Sequence, residues 1–169
     1  MTLRIRIASR KSNLAIRQVE ILKEHLSKDI EINIIEVVTS GDKTLDKSLA
    51  DIGGKGLFIK ELENTILKDG ADIAVHSMKD METELAANTK IAGVLPRGSR
   101  SDVLLGKYAT FDDLPDGAVI GTSSVRRGAF AKSYRPDLQI KLLRGNVGTR
   151  IDKLNNGFFD AIILAKAGL

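Results

Sequence analysis

The 169-residue sequence contains no cysteine and no tryptophan. Without cysteine the chain can form no disulfide, no thiolate metal site, no cysteine nucleophile and no thioether to a cofactor. Without tryptophan, and with only two tyrosines and five phenylalanines, it has little from which to build an aromatic platform for bases. Two histidines, His25 and His76, are too few to suggest a metal cluster, and no metal is expected. No apolar run approaches the ~20 residues that a membrane-spanning helix needs. The longest stretches, such as Ala161–Ala165, are far shorter. The opening Met-Thr-Leu-Arg-Ile-Arg-Ile alternates charge with bulk, unlike the apolar core of a signal peptide, so the cytoplasm is the expected compartment. The net charge of +4 suits anionic partners without naming nucleic acid, for which no motif is present.

What is present alternates between two hydrophobic periods. Leu3–Ala8 reads as a strand with Leu3, Ile5 and Ile7 on one face. Ser12 is placed to cap a helix whose apolar stripe is Leu14, Ala15, Val19, Leu22 and Leu26. Glu31–Val38 is a second strand. The polar segment Thr39 to Lys55 is long for a connection without its own structure, which predicts a mobile or functional loop. Gly56–Lys68 reads as a helix ended by Gly70, followed by strands at Asp72–His76 and Lys90–Leu95. Pro96-Arg97-Gly98-Ser99 breaks the pattern. Beyond it come strands at Asp102–Leu105, Ala118–Gly121, Gln139–Leu143 and Phe159–Leu164, with helices at about Ser124–Tyr134 and Val147–Asn155. This order predicts α/β layers with mainly parallel sheets, twice over. The expected domains are residues 1–96, a hinge at 97–101, and residues 102–169, with a cleft between the two lobes.

Ligands of open α/β sheets sit at the carboxyl ends of the strands. Here those ends carry Ser9-Arg10-Lys11-Ser12, His76-Ser77-Met78-Lys79-Asp80, Gly121-Thr122-Ser123-Ser124-Val125-Arg126-Arg127 and Arg144-Gly145-Asn146-Val147-Gly148-Thr149-Arg150. Every one bears a cation, and several open a helix, whose free N–H groups favour anions. Guanidinium groups take carboxylates in a two-bonded fork, so the pattern predicts a ligand with several carboxylates or phosphates. Asp80 is the lone acid among them. In such surroundings it should ionise easily, and it could steady a cationic intermediate or handle a proton. Each feature also has a plainer reading. Arg126-Arg127 could be a solvated helix face, Lys79-Asp80 an ordinary turn, Ser12 and Ser124 simple caps, and His76 a structural histidine. Gly53-Gly54-Lys55-Gly56 lacks the spacing of a phosphate-binding P-loop. Recurrence at four strand ends favours function. A non-catalytic receptor for small anions is the main rival, but such a receptor gains nothing from Asp80.

Arg10-Lys11-Ser12-Asn13-Leu14-Ala15, Gly53-Gly54-Lys55-Gly56-Leu57-Phe58, and Asp72 through Asp80 together resemble the porphobilinogen deaminase (hydroxymethylbilane synthase) family. So do the strings Gly121–Arg127 and Leu143–Arg150, in the family's order and spacing from about Leu3 to Leu169. The resemblance implies two lobes like those of periplasmic binding proteins, and a smaller third domain that lies outside these residues. It implies head-to-tail condensation of porphobilinogen into a linear tetrapyrrole with loss of ammonia. It also implies a dipyrromethane cofactor held on a cysteine of the third domain, and this chain has no cysteine. Asp80 matches the family's catalytic aspartate. Arg10, Ser12, Lys79, Arg126, Arg127, Arg144 and Arg150 match positions that hold cofactor and substrate carboxylates, with Ser124, Gly145 and Asn146 beside them. Lys55 and Phe58 match the end of a flexible loop over the cleft.

The sequence departs from the family after Asp80. Met81-Glu82 stands where Val-Pro is usual, and Leu85-Ala86 where Leu-Pro is usual. Two fewer prolines leave the segment freer in the unfolded chain, and Glu82 adds a negative charge near Asp80. The expected behaviour of the 169-residue chain is that of a truncated piece. It should be inactive by itself and prone to associate through exposed apolar surface, whereas the parent enzyme should be a monomer with no membrane or nucleic-acid partner.

Overall fold

The computed structural model describes residues 2–43 and 56–169. They form two compact units, one of residues 2–43 and 56–96, the other of residues 97–169. Among the described residues, no helix is long and apolar enough to cross a membrane.

In the first unit, the alternating Leu3, Ile5 and Ile7 produce β1 (Leu3–Arg10). It is the central strand of a three-stranded parallel sheet, between β2 (Ile30–Val37) and the two-residue β3 (Ile73–Ala74). Ile7 lies opposite Ile34 on one side and Ile73 on the other. A central parallel strand is covered on both faces, so Ile7, Ala8 and Ser9 are all fully buried. Between β1 and β2 runs α1 (Asn13–Glu24), which buries Ala15 and Val19. As expected, Ser12 caps it, its hydroxyl accepting from the Ala15 N–H at 3.3 Å.

Within the polar segment, Ser40–Lys43 form a short helix, α2, and three sequence expectations need correction. The Asp42 carboxylate accepts from both the N–H (3.2 Å) and the hydroxyl (2.7 Å) of Thr39, and the Asp42 N–H binds the Thr39 carbonyl at 3.0 Å. The rest of that segment, including Lys55, lies outside the described residues. The next helix, α3 (Lys60–Leu67), begins a turn later than Gly56. It buries Leu62 against Ala8 and Ala71, a contribution of about 2 kcal/mol.

The end of α3 differs too. The left-handed residue there is Asp69 (φ 58°), not Gly70. The Gly70 N–H closes back on the Thr65 carbonyl at 2.8 Å and the Asp69 N–H on Ile66 at 2.9 Å. Asp69 tolerates this because Arg6 donates to its carbonyl at 2.7 Å and to its carboxylate at 2.8 Å. Finally, Lys90–Leu95 is not a strand. Its β-rich composition finds no ladder among the described residues, and Val94 is 70% exposed. Strand propensity without a pairing partner does not make a strand.

The second unit holds β4 (Asp102–Gly106), β5 (Val119–Gly121), α4 (Val125–Tyr134), β6 (Gln139–Lys141), α5 (Val147–Asn155) and β7 (Ala161–Ala165). The sheet order is β4-β7-β5-β6. β5 is parallel to both neighbours and β4 antiparallel to β7, so the expected mixed α/β class with mainly parallel sheets holds. β7 shows why its sequence is uniformly apolar. Ala161 and Ile163 pack into one cluster with Ile120 and Leu138, while Ile162 and Leu164 pack into another with Leu143. Alternate side chains leave opposite faces of a strand, and both faces are covered here.

Candidate functional site

The candidate site residues that the structure describes gather in two clusters, one in each unit. In the first unit, β1 ends at Arg10, and β3 runs through Val75 and His76 into a single 3-10 turn, Met78–Asp80. The Val75 N–H binds the Ala8 carbonyl at 3.0 Å, so the two strand ends stay side by side. A small pocket there is lined by Arg10, Ser12, Leu14, Gln18, His76 and Asp80, among others. Gln18 of α1 donates to the Ser77 hydroxyl at 2.9 Å and steadies the turn that carries Asp80. Lys79 points to solvent.

Burial pushes the Asp80 carboxyl above its usual range, and Lys79, Arg10 and His76 offset only part of that. The sequence predicted the opposite, an acid that ionises easily. Composition shows which charges are near but not how much water the fold removes. Arg10 is also more committed than the sequence suggests. It gives both Nε (3.1 Å) and Nη2 to the Asp42 carboxylate, and its guanidinium lies 4.4 Å over the Phe58 ring. Asp42 and Gln18 were not anticipated. The Thr-x-x-Asp spacing of Thr39 to Asp42 is the signal that could have found the first; nothing local marks the second.

In the second unit, Ser124 caps α4, accepting from the Arg127 N–H at 3.4 Å. Arg126 and Arg127 follow in the first turn and part ways there. The Arg126 side chain is 75% exposed and Arg127 only 16%, though both reach Asp102, at 3.4 and 2.7 Å. Arg127 chiefly holds the Asp102 carboxyl below its usual range. Asn146 caps α5, its side-chain oxygen accepting from the Thr149 N–H at 2.8 Å. Gly145 before it sits at φ 118°, where a side chain is strained and would meet Thr149 Cγ2 at 2.8 Å. Its carbonyl accepts from Arg150 Nε at 2.8 Å, which aims that side chain. Arg144 is buried, and Lys153 holds its carbonyl at 3.2 Å. Arg150 is pushed below the usual arginine range, first by burial and then by Arg144 and Arg127. Arg144 and Arg127 are thus close enough to Arg150 to repel its charge, beside two helix starts. Asp102 was not anticipated, because its partners are more than twenty residues away in sequence.

A family model described as porphobilinogen deaminase, dipyromethane cofactor binding domain, matches residues 5–169. The chain belongs to the porphobilinogen deaminase family. It is 48% identical to the porphobilinogen deaminase of Maridesulfovibrio salexigens over 98% of this chain and 55% of that protein. It is also 48% identical to that of Buchnera aphidicola subsp. Acyrthosiphon pisum, over 98% of this chain and 54% of that protein. The chain therefore spans about half the length of the curated relatives it matches. Among solved structures it is similar to a chain from work on glutathione import in Gram-positive bacteria via GshT and the cystine importer TcyBC of Streptococcus mutans. The TM-score is 0.45 at 13% identity, over 98% of this chain and 69% of that one. A second similar structure is an ancestral cyclohexadienyl dehydratase, with TM-score 0.39 and 13% identity over 96% of this chain and 66% of that one.

The residues present fit an anionic group at the dipyromethane cofactor site that the family description names. Arg127 Nε is buried without a hydrogen-bond partner among the described residues, a donor left for an anion. Arg150 lies near Arg127, and Arg144 near Arg150. The covalent bond is a separate matter: with no cysteine, this chain of the deaminase family offers no thiol for it.

Proposed function

We propose that this chain works in a porphobilinogen deaminase, joining porphobilinogen units head to tail into the linear tetrapyrrole hydroxymethylbilane. For each bond formed, the protonated amino group leaves its methylene carbon as ammonia with the C–N electron pair, and water adds to the last methylene to give the hydroxymethyl end. The new C–C bond takes two pyrrole π electrons, and the displaced α-hydrogen leaves as a proton. The observation that carries this reading is Asp80: a carboxyl drawn out of water, in a pocket shared with Arg10, Ser12 and His76. Ionised, it accepts pyrrole N–H bonds and steadies the cation formed when ammonia departs. The neighbouring cations keep that form accessible.

Substrate carboxylates are the second requirement. Arg127, Arg144 and Arg150, with the helix starts at Ser124 and Asn146, supply donors for acetate and propionate groups. Arg126 and Lys79, both exposed, add charge at the surface, and Lys55 and Phe58 complete the proposed binding set. When bound, dipyrromethane supplies the first pyrrole carbon for chain growth; the arginines would hold its carboxylates. Lacking a thiol, the 169-residue chain alone should not sustain turnover.

The test is to incubate the protein that carries this chain with porphobilinogen and follow tetrapyrrole absorbance. Turnover should be lost in Asp80→Ala while ligand still binds. Full turnover in that variant would overturn the role given to Asp80.

A further inference from the structure

We propose that Asp42 is a positioning residue: it holds the Arg10 guanidinium on the Phe58 ring, at the pocket that Asp80 lines. The inference rests on the role proposed for Asp80. An arginine side chain at the end of a strand has four rotatable bonds and no fixed direction of its own. Here both ends of a two-bonded fork, Nε and Nη2, go to Asp42. Asp42 is fixed in turn by the N–H (3.2 Å) and hydroxyl (2.7 Å) of Thr39, which is fully buried. The Phe58 ring closes the other side at 4.4 Å. That edge of Arg10 is therefore committed within the protein. Arg10 acts on Asp80 by its charge, alongside Lys79 and His76, while Glu82 lies two residues further along the chain. Asp42 acts on Asp80 only through Arg10.

Asp42→Asn in the full protein removes the fork yet keeps an oxygen that can accept from Thr39. Releasing Arg10 should lower kcat about ten- to a hundredfold, with KM changed by less than about twofold. The acid limb of the kcat profile should move up by about one pH unit. Asp42→Glu should recover part of the loss. Thr39→Val removes one of the two Thr39 bonds that fix Asp42 and leaves the Arg10 fork itself intact, so it should lower the melting temperature and move the acid limb less than Asp42→Asn does. Wild-type kcat with an unmoved limb in Asp42→Asn overturns the proposal, and so does an equal or larger shift in Thr39→Val. Should the unaltered protein make no tetrapyrrole, the enzymatic reading falls. The ¹³C titration of the Asp80 carboxyl still decides between the two: equal titration in wild type and Asp42→Asn rejects the positioning role.

Discussion

Arg127 donates from Nη2 to the Asp102 carboxylate at 2.7 Å, while its buried Nε meets no acceptor among the described residues. One edge of the guanidinium is tied to the fold, and the proposed function gives the other to a ligand carboxylate. Asp102→Asn should therefore destabilise the second unit by about 1–2 kcal/mol in urea unfolding, because the arginine keeps its burial and loses its counter-charge. A small dicarboxylate should raise the melting temperature of the variant more than that of the wild type. Equal rises in both would show that Arg127 is not an anion ligand.

Asp42 and Asp80 should respond to acid in opposite senses. Hydrogen bonds from Arg10 and Thr39 outweigh burial and hold Asp42 below the ordinary carboxyl value of 3.8. Its contribution to stability is present above that value and is lost as pH falls through the depressed one. Asp80 is raised by burial, so its favourable effect is complete below 3.8 and lost as pH rises through its folded value. The Asp80→Asn variant should match the wild type in stability at low pH and exceed it near neutrality, despite losing turnover. Melting temperatures from pH 3 to 7 would check this; a variant less stable at pH 7 would contradict it.

Gly41 is tightly enclosed. A Cβ there would press into the Phe58 ring, 2.6 Å from Cδ1, and the Gly41 N–H already binds the Leu57 carbonyl at 2.8 Å. Gly41→Ala should cost about 1–3 kcal/mol and displace the ring beneath Arg10. A variant of wild-type stability would mean that the ring has room to retreat.

The left-handed turn at Asp69 offers a contest of small terms. Glycine there would relieve a non-glycine residue at φ 58° by up to about 1 kcal/mol, and would lose a side-chain ion pair of similar or smaller value. The Asp69 side chain is 94% exposed, which keeps that pair weak. Asp69→Gly should fall within about 0.5 kcal/mol of the wild type, whereas Asp69→Val, β-branched, should lose more than about 1 kcal/mol. Denaturant midpoints would separate the two.

Most elements were legible because they rest on local rules. Period-two alternation marked β1, the continuous apolar run marked β7, and Ser12 and Ser124 were visible as caps. The strand expected at Lys90–Leu95 failed because pairing is not local: the same residues without a ladder remain exposed coil. Gly70 was the natural stop for α3, yet Asp69 took the left-handed position because Arg6, more than sixty residues away, binds it there.

By itself the sequence determined the family, the α/β class and the residue types that gather at the strand ends, since motif strings and hydrophobic periods are written along the chain. Tertiary structure alone decided that Asp42 holds Arg10, that Asp102 holds Arg127, and that Asp80 resists ionisation. Each depends on distances between residues far apart in sequence, or on water excluded by packing, and neither quantity exists until the chain has folded.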